Sequence, residues 1–381
     1  MSPTTTVAVT MASPRLERDE IDAATRVLES GALRSGPVAA EFERAFADFV
    51  GARHAYTCSN GTAALHLAYL SVIQPGDEVL VPAMTFFASA SAVALAGGVP
   101  VFCDVDPDTF LVDLDDAAAR ITGRTTAICA VYLFGQAIAA PELRAFASKH
   151  GLAVVGDAAQ ALGSRGEDDH VGKEAMLTTH SFYPTKNLFV GEGGMVTTDD
   201  EALDGLGRLL RSHGQGQKYR HTHLGLNYRM TDVEAAIGLA QLPKITGRNA
   251  RRRANAAKYD AAFAPIEGLE TPQVPDGSFH SYHQYTLKID PTVLGERDEF
   301  ARRLGDLGVG SQVNYPMSLH RQQVFADLLS SQTRPLDVTD ELCRTVLSIP
   351  VHHHLEDDDV DTVIDAVLTT CDAVAQPSRS A

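Results

Sequence analysis

The sequence predicts an α/β protein: a large domain over residues 1–250 built on a mainly parallel mixed sheet, then a smaller C-terminal α+β domain over residues 251–381. Three observations carry this reading. Over the first 250 residues, short β-branched runs alternate with longer segments of helical period, the pattern of βα units. Past Thr231 that alternation breaks into consecutive helices. The 381 residues, 44% apolar and 21% charged, suffice for a large and a small core and exclude a disordered, collagenous or disulfide-stapled chain.

In order along the chain, the candidate strands are Glu78–Val81, Val99–Phe102, Ala127–Val131, Ala153–Val155, Thr179–Phe182 and Gly194–Thr197. Helices are expected at Gly61–Leu70, Phe87–Leu95, Leu114–Arg120, Pro141–His150 and Asp200–Ser212. Asp232–Gln241 and an Arg/Ala-rich stretch from Ile245 to Phe263 then read as two helices in succession. After Pro272 and Pro275 come a strand, Tyr282–Ile289, a helix, Arg297–Leu307, a short strand around Ser311–Asn314 and a closing helix from Glu356 to Cys371. Gln376–Ala381 read as a frayed end, and no internal repeat or low-complexity tract occurs.

The balance of 32 Lys and Arg against 49 Asp and Glu, a net charge of -17, opposes binding to nucleic acid or to an anionic membrane surface. The single basic run, Arg251-Arg252-Arg253, reads as the solvated face of a helix. Five cysteines without a C-x-x-C pair suit reduced thiols and a cytoplasmic location. The N-terminus carries no secretory pattern, and no stretch approaches the roughly 18 apolar residues of a membrane span.

Chemistry concentrates at three places. Asp157 follows the apolar run Leu152–Val155, at the carboxyl end of a buried strand, where open α/β sheets place their ligands. Taken alone it serves equally as a helix N-cap. Lys186 is one of only seven lysines and lies between an aromatic strand end, Ser181-Phe182-Tyr183-Pro184-Thr185, and the turn Gly191-Glu192-Gly193-Gly194. Such a partly desolvated setting lowers a lysine's proton affinity and makes its amine a nucleophile toward an aldehyde. Ser59-Asn60-Gly61-Thr62-Ala63 opens a helix, so its free N–H groups and the Thr62 hydroxyl form an anion site. An amine for an aldehyde, a carboxylate for a ring nitrogen and a cradle for a phosphate together are what pyridoxal 5'-phosphate requires.

The segments FERAFADFVGARHAYTCSNGTAALHLA, PGDEVLVPAMTFFASASAV, VFCDVDPDTF, VVGDAAQALGS, HSFYPTKNLFVGEGGMVTT, LGLNYRMTDVEAAIGLAQL, SYHQYTL and VNYPMSLH span most of the chain. In these motifs it resembles the DegT/DnrJ/EryC1/StrS sugar aminotransferases, pyridoxal-phosphate enzymes of fold type I. The resemblance implies that Lys186 bonds the cofactor aldehyde and carries the proton, that Asp157 pairs with the pyridinium, and that Gln160 contacts the ring hydroxyl. It implies Gly61, Thr62, Ala63 and Ser181 at the phosphate, Phe86 stacked on the ring, and Asn227 donated to the phosphate by a neighbouring subunit of a homodimer. It further implies an L-glutamate donor and a keto-sugar acceptor, a nucleoside-diphosphate-linked 3-keto or 4-keto hexose. Relatives with histidine at the lysine position are dehydratases; this chain keeps Lys186, which favours transamination.

Tyr183, Tyr315 and His320 fall in segments that border the sugar pocket in that family. His221 and His223 lie close in sequence to Asn227, and Arg220 or Arg229 is suited to a diphosphate. His352-His353-His354 does not suggest a metal site, because consecutive residues share no face and no acidic or cysteine ligand lies at a usual offset. Asp168-Asp169 and Asp357-Asp358-Asp359 read as solvated acid clusters. Two rival substrates remain, a keto-cyclitol and the aminohydroxybenzoate branch, the latter disfavoured by SFYPTKNL. From other classes, a cofactor-binding regulator without turnover stays open, whereas a dinucleotide dehydrogenase lacks G-x-G-x-x-G after an early strand.

Overall fold

The computed structural model describes residues 8–167, 170–325 and 334–375; Asp168-Asp169 and the tail 376–381 lie outside the described residues. Seven strands form the large sheet: β1 (His54–Cys58), β2 (Glu78–Pro82), β3 (Val99–Cys103), β4 (Thr125–Val131), β5 (Ala153–Asp157), β6 (Leu177–Ser181) and β7 (Gly194–Thr198). Their order is β1-β7-β6-β5-β4-β2-β3. β7 runs antiparallel to both neighbours, and the other pairings are parallel. The strands are short apolar runs because helices cover both faces. Along β4, Ala127, Cys129 and Val131 enter one apolar cluster with the helices Gly61–Val72 and Phe87–Leu95. Ile128 and Ala130 point the other way, toward Leu143 and Phe146 of the helix Ala140–His150.

A short hairpin, β8 (Gln215–Gln217) and β9 (Arg220–His221), follows, and then a three-stranded antiparallel sheet of β10 (Leu269–Glu270), β11 (Tyr285–Ile289) and β12 (Val346–Ile349). Its core takes Tyr259 and Phe263 from the helix Ile245–Phe263, Phe300 and Leu304 from Arg297–Asp306, and Val360, Val363 and Val367 from Asp357–Ala375. Val9, near the start of the chain, is buried in this same cluster and bridges Val309.

Each of the six strands expected in the first 200 residues is present, with ends moved by a few residues. β1 was not expected; its antiparallel register, His54 opposite Thr198 through Cys58 opposite Gly194, joins segments far apart in sequence. The helices Arg18–Ser30, Pro37–Val50 and Asp337–Thr345 are likewise additional. The strand expected from Tyr282 begins only at Tyr285, since Tyr282 has φ 44 and cannot extend a ladder. No strand forms at Ser311–Asn314, where Gln312 makes one isolated bridge to Ser348. The reading of Arg251–Arg253 as solvated also needs correction. Arg252 is 4% exposed and donates to the carbonyls of Tyr282 and His283, while Arg251 pairs with Asp357. Main-chain carbonyls that receive a guanidinium N–H favour its burial in a way a sequence run does not reveal.

Two contacts draw the later chain over the carboxyl ends of the parallel strands. Leu319 N–H donates to the Ala83 carbonyl at 3.0 Å, just past β2. Asp104, just past β3, accepts from the N–H groups of Val338 and Thr339 at 3.1 and 2.7 Å.

Candidate active site

Asp157 ends β5, and the loop carrying Lys186 leaves β6 beside it. That loop is a closed turn: Phe182 N–H donates to Gly193, Val190 N–H to Phe182 and Lys186 N–H to Tyr183, at 2.8, 2.9 and 2.8 Å. Asn187 anchors it from below, donating through Nδ2 to Asn249 Oδ1 at 2.8 Å and to the Ser281 carbonyl at 3.2 Å. Lys173, Lys244, Lys258 and Lys288 are each held in ion pairs with carboxylates. Lys186 is different. Burial pushes its amine down to about 8, and the charge of Asp157 only partly offsets that.

Asp157 is itself 6% exposed. Burial raises its carboxyl above the usual carboxylate value, opposed by a hydrogen bond from Ser89, one from the Ala159 N–H and the Lys186 charge. The bonds measure 2.7 Å from Ser89 Oγ to Oδ2 and 3.2 Å from Ala159 N to Oδ1. A buried acid and a buried base thus sit in each other's field, each with its charged form disfavoured by desolvation.

Gln160 is fixed by two bonds, accepting from the Phe134 N–H at 2.8 Å and donating to the Tyr315 hydroxyl at 3.3 Å. Tyr315 is near enough to Asp157 for that charge, after burial, to raise its hydroxyl, and its ring lies 6.3 Å from that of Phe86. Phe86 and Tyr183 are 57% and 48% exposed, so two aromatic rings remain uncovered. The helix Gly61–Val72 starts against the end of β6: a Cβ at Gly61 would stand 2.7 Å from the Ser181 Cβ. Only glycine admits that approach. Asn60 caps the helix by accepting from the Ala63 N–H at 2.8 Å, so Ala63 donates within the chain, while the Gly61 and Thr62 N–H groups of the first turn have no partner within the helix.

Lys186, Asp157, Gln160, Tyr315 and Phe86 are therefore drawn together, and Gly61, Thr62 and Ser181 form a second group at the helix start. The remaining candidates lie on other segments of the chain. His221 is exposed in the β8–β9 hairpin, its Nδ1 2.8 Å from the His213 carbonyl. Asn227 is exposed and Arg229 half-buried, on either side of Tyr228, whose carbonyl accepts from Ser59 N–H at 2.8 Å. His320 is turned toward Asp340, 3.7 Å from Nε2 to Oδ1, and burial lowers its ring. Sequence reasoning passed over Ser89, which touches Asp157, and His283, a buried histidine whose proton affinity is lowered by burial and then by the charge of Lys186. The only sequence signals were a hydroxyl four positions after Thr85 and a histidine inside SYHQYTL.

The lowered amine makes a direct prediction. The rate at which Lys186 condenses with a small aldehyde, trapped with borohydride and located by peptide mass, should climb tenfold per pH unit up to about 8 and then level off. A climb continuing past pH 10, as for an exposed lysine, would sink this assignment.

The sequence profile of the DegT/DnrJ/EryC1/StrS aminotransferase family matches residues 14–368. The chain is 37% identical to GDP-perosamine synthase of Caulobacter vibrioides over 365 residues, covering 94% of this chain and 97% of that protein. It is 36% identical over 345 residues to a pleiotropic regulatory protein of Geobacillus stearothermophilus, covering 90% and 91%. The putative sugar aminotransferase Spr1654 from Streptococcus pneumoniae, in its PMP form, superposes with a TM-score of 0.89 at 27% identity, over 96% of this chain and 100% of that one.

Proposed function

This chain belongs to the DegT/DnrJ/EryC1/StrS aminotransferase family, and from that premise we propose that it transfers the amino group of L-glutamate to a keto sugar linked to a nucleoside diphosphate, using pyridoxal 5'-phosphate. The observation that carries the proposal is the pairing of Lys186 and Asp157, two ionisable groups buried in each other's field at adjacent strand ends. The donor set suits the cofactor. A desolvated amine suits an aldehyde, a carboxylate whose lone charge is costly gains from a cationic ring nitrogen, and the helix start at Gly61-Thr62 with the Ser181 hydroxyl suits a phosphate. The PMP form of the pneumococcal structure and the nucleotide in the Caulobacter relative's name support the same choice.

When bound, the cofactor supplies the electron sink that stabilises negative charge on the substrate carbon. The chain's own residues do the rest. Lys186 Nζ, its proton affinity lowered to about 8 so that a neutral fraction is present near neutral pH, would take the proton from the amino donor's α-carbon and hand it to the carbon that accepts it, a general-base and then general-acid role. Asp157 holds positive charge at the ring nitrogen, and Gln160 orients the Tyr315 hydroxyl across the site. Phe86 and Tyr183 offer uncovered aromatic faces, to the cofactor ring and the sugar respectively. Asn227, exposed on its own chain, is available to a second copy, so a homodimer with shared sites fits the arrangement. Among the described residues no helix is long and apolar enough to cross a membrane.

The test loads the protein with pyridoxamine phosphate and offers nucleotide-linked 3-keto and 4-keto hexoses beside keto-cyclitols. A nucleotide sugar should restore the aldehyde absorbance. Response to cyclitols alone would move the acceptor class. A regulator without turnover, suggested by the name of the Geobacillus relative, would bind the cofactor and answer neither substrate nor excess L-glutamate.

A further inference from the structure

Asp157 depends on a pair of hydroxyls. Thr85, Ser89 and Asp157 are 2%, 0% and 6% exposed, in a row: Thr85 Oγ1 lies 2.9 Å from Ser89 Oγ, and Ser89 Oγ lies 2.7 Å from Asp157 Oδ2. Serine owns one hydroxyl proton. If Asp157 is ionised it can only accept, so the Ser89 proton points at Oδ2 and Thr85 must donate to Ser89. The chain of donation then runs Thr85 to Ser89 to Asp157, and its direction is set by the charge at its end. Ser89 sits in the first turn of the helix Phe87–Leu95, its carbonyl receiving the Tyr69 hydroxyl at 3.4 Å, so its position is rigid.

Of the other groups facing Asp157, the Ala159 N–H donates to Oδ1 at 3.2 Å, and the remaining side chains bring no charge to replace that of Lys186. From the helix Gly61–Val72 comes Tyr69, from β4 comes Cys129 and from the later loop comes Tyr315, and burial raises all three, so each stays neutral near pH 7. Lys186 is the one charged counterpart, and its charge vanishes whenever its amine acts as a nucleophile or base. A carboxylate that must stay ionised while its neighbour loses charge needs support from elsewhere.

We propose that Ser89, itself oriented by Thr85, is a positioning residue that keeps Asp157 ionised and aimed at the ring nitrogen of the cofactor. The inference rests on the pyridoxal-phosphate reading above. Removing a hydrogen bond to the charged form raises a carboxyl's pKa, so the loss appears on the acid side of the binding profile.

The experiment measures binding of pyridoxamine phosphate, and of its 1-deaza analogue with carbon in place of the ring nitrogen, by calorimetry from pH 5 to 8. Ser89→Ala should weaken pyridoxamine phosphate about tenfold to a hundredfold at pH 7, the range for a hydrogen bond to a charged group. Its acid limb should move upward by about one to two pH units. Affinity for the deaza analogue should not change, and Ser89→Thr should restore the hydroxyl and the limb. Thr85→Val, isosteric, should give a smaller shift in the same direction and serves if Ser89→Ala does not fold. Equal weakening of both compounds, or an unmoved acid limb, would mean that Ser89 only packs and would overturn the relay. Failure of the unsubstituted protein to bind pyridoxamine phosphate would instead bring down the cofactor reading, and the relay with it.

Discussion

Lys186→Ala should lower amino transfer to less than about one ten-thousandth while the protein keeps its fold. The magnitude follows from the two tasks of one amine, since proton transfer by a placed side chain is worth about 10²–10⁴-fold and the covalent hold on the aldehyde is lost as well. The intact fold follows from local bonding. The loop is closed by main-chain bonds of Phe182, Val190 and Lys186 and is anchored by Asn187, none of which uses the lysine side chain. Deleting a desolvated amine also removes a penalty from the folded state, because burial disfavours its charged form. Lys186→Arg should be as inactive as the alanine variant, for a guanidinium stays charged and does not attack an aldehyde. Circular dichroism and a thermal melt check the fold, and cofactor reduction by L-glutamate checks the chemistry. Turnover within tenfold of the unsubstituted protein would remove Lys186 from the mechanism.

Asp157→Asn should cost about two to three orders of magnitude in turnover, the range for losing one preorganised electrostatic partner. Asparagine keeps the shape but offers no charge to a ring nitrogen. The same substitution should leave the cofactor-free protein at least as stable near neutral pH. The folded pKa of Asp157 lies above its ordinary value, so its contribution to stability is complete below that ordinary value and is lost as pH rises through the folded one. At pH 7 the acid is therefore a liability to the empty fold, which asparagine relieves. A melting temperature that drops sharply in Asp157→Asn without cofactor, or activity that survives, would contradict this account. Opposite signs for stability and turnover are expected of a residue kept for its chemistry.

Much of the site was legible along the chain. Lys186 stood out because lysine is scarce and this one sits among aromatics and glycines, and Asp157, which alone reads equally as a helix N-cap, drew its weight from that lysine about thirty residues on. Asn60-Gly61 signalled a helix start, and the helix begins at Gly61 with Asn60 as its cap. Ser89 was not legible, since its partner lies 68 positions away and nothing in TFFASAS distinguishes a hydroxyl that packs from one that donates. β1 escaped for a similar reason: HAYTC is a five-residue run whose ladder partner, β7, lies far along the chain at Gly194–Thr198.

Local chemistry, then, was written in the order of residues: the alternation of βα units, the amine, the acid and the helix start. These depend on side-chain type and near-neighbour spacing, which a linear text contains. The folded chain alone decided which groups share a dielectric environment. Desolvation of Lys186, the raised carboxyl of Asp157, the hydroxyls behind it, the placement of Tyr315 by Gln160 and the burial of Arg252 all arise where distant segments exclude water from one another. Solvent exclusion belongs to a packed volume, and the same lysine with the same neighbours in sequence would be an ordinary cation without it.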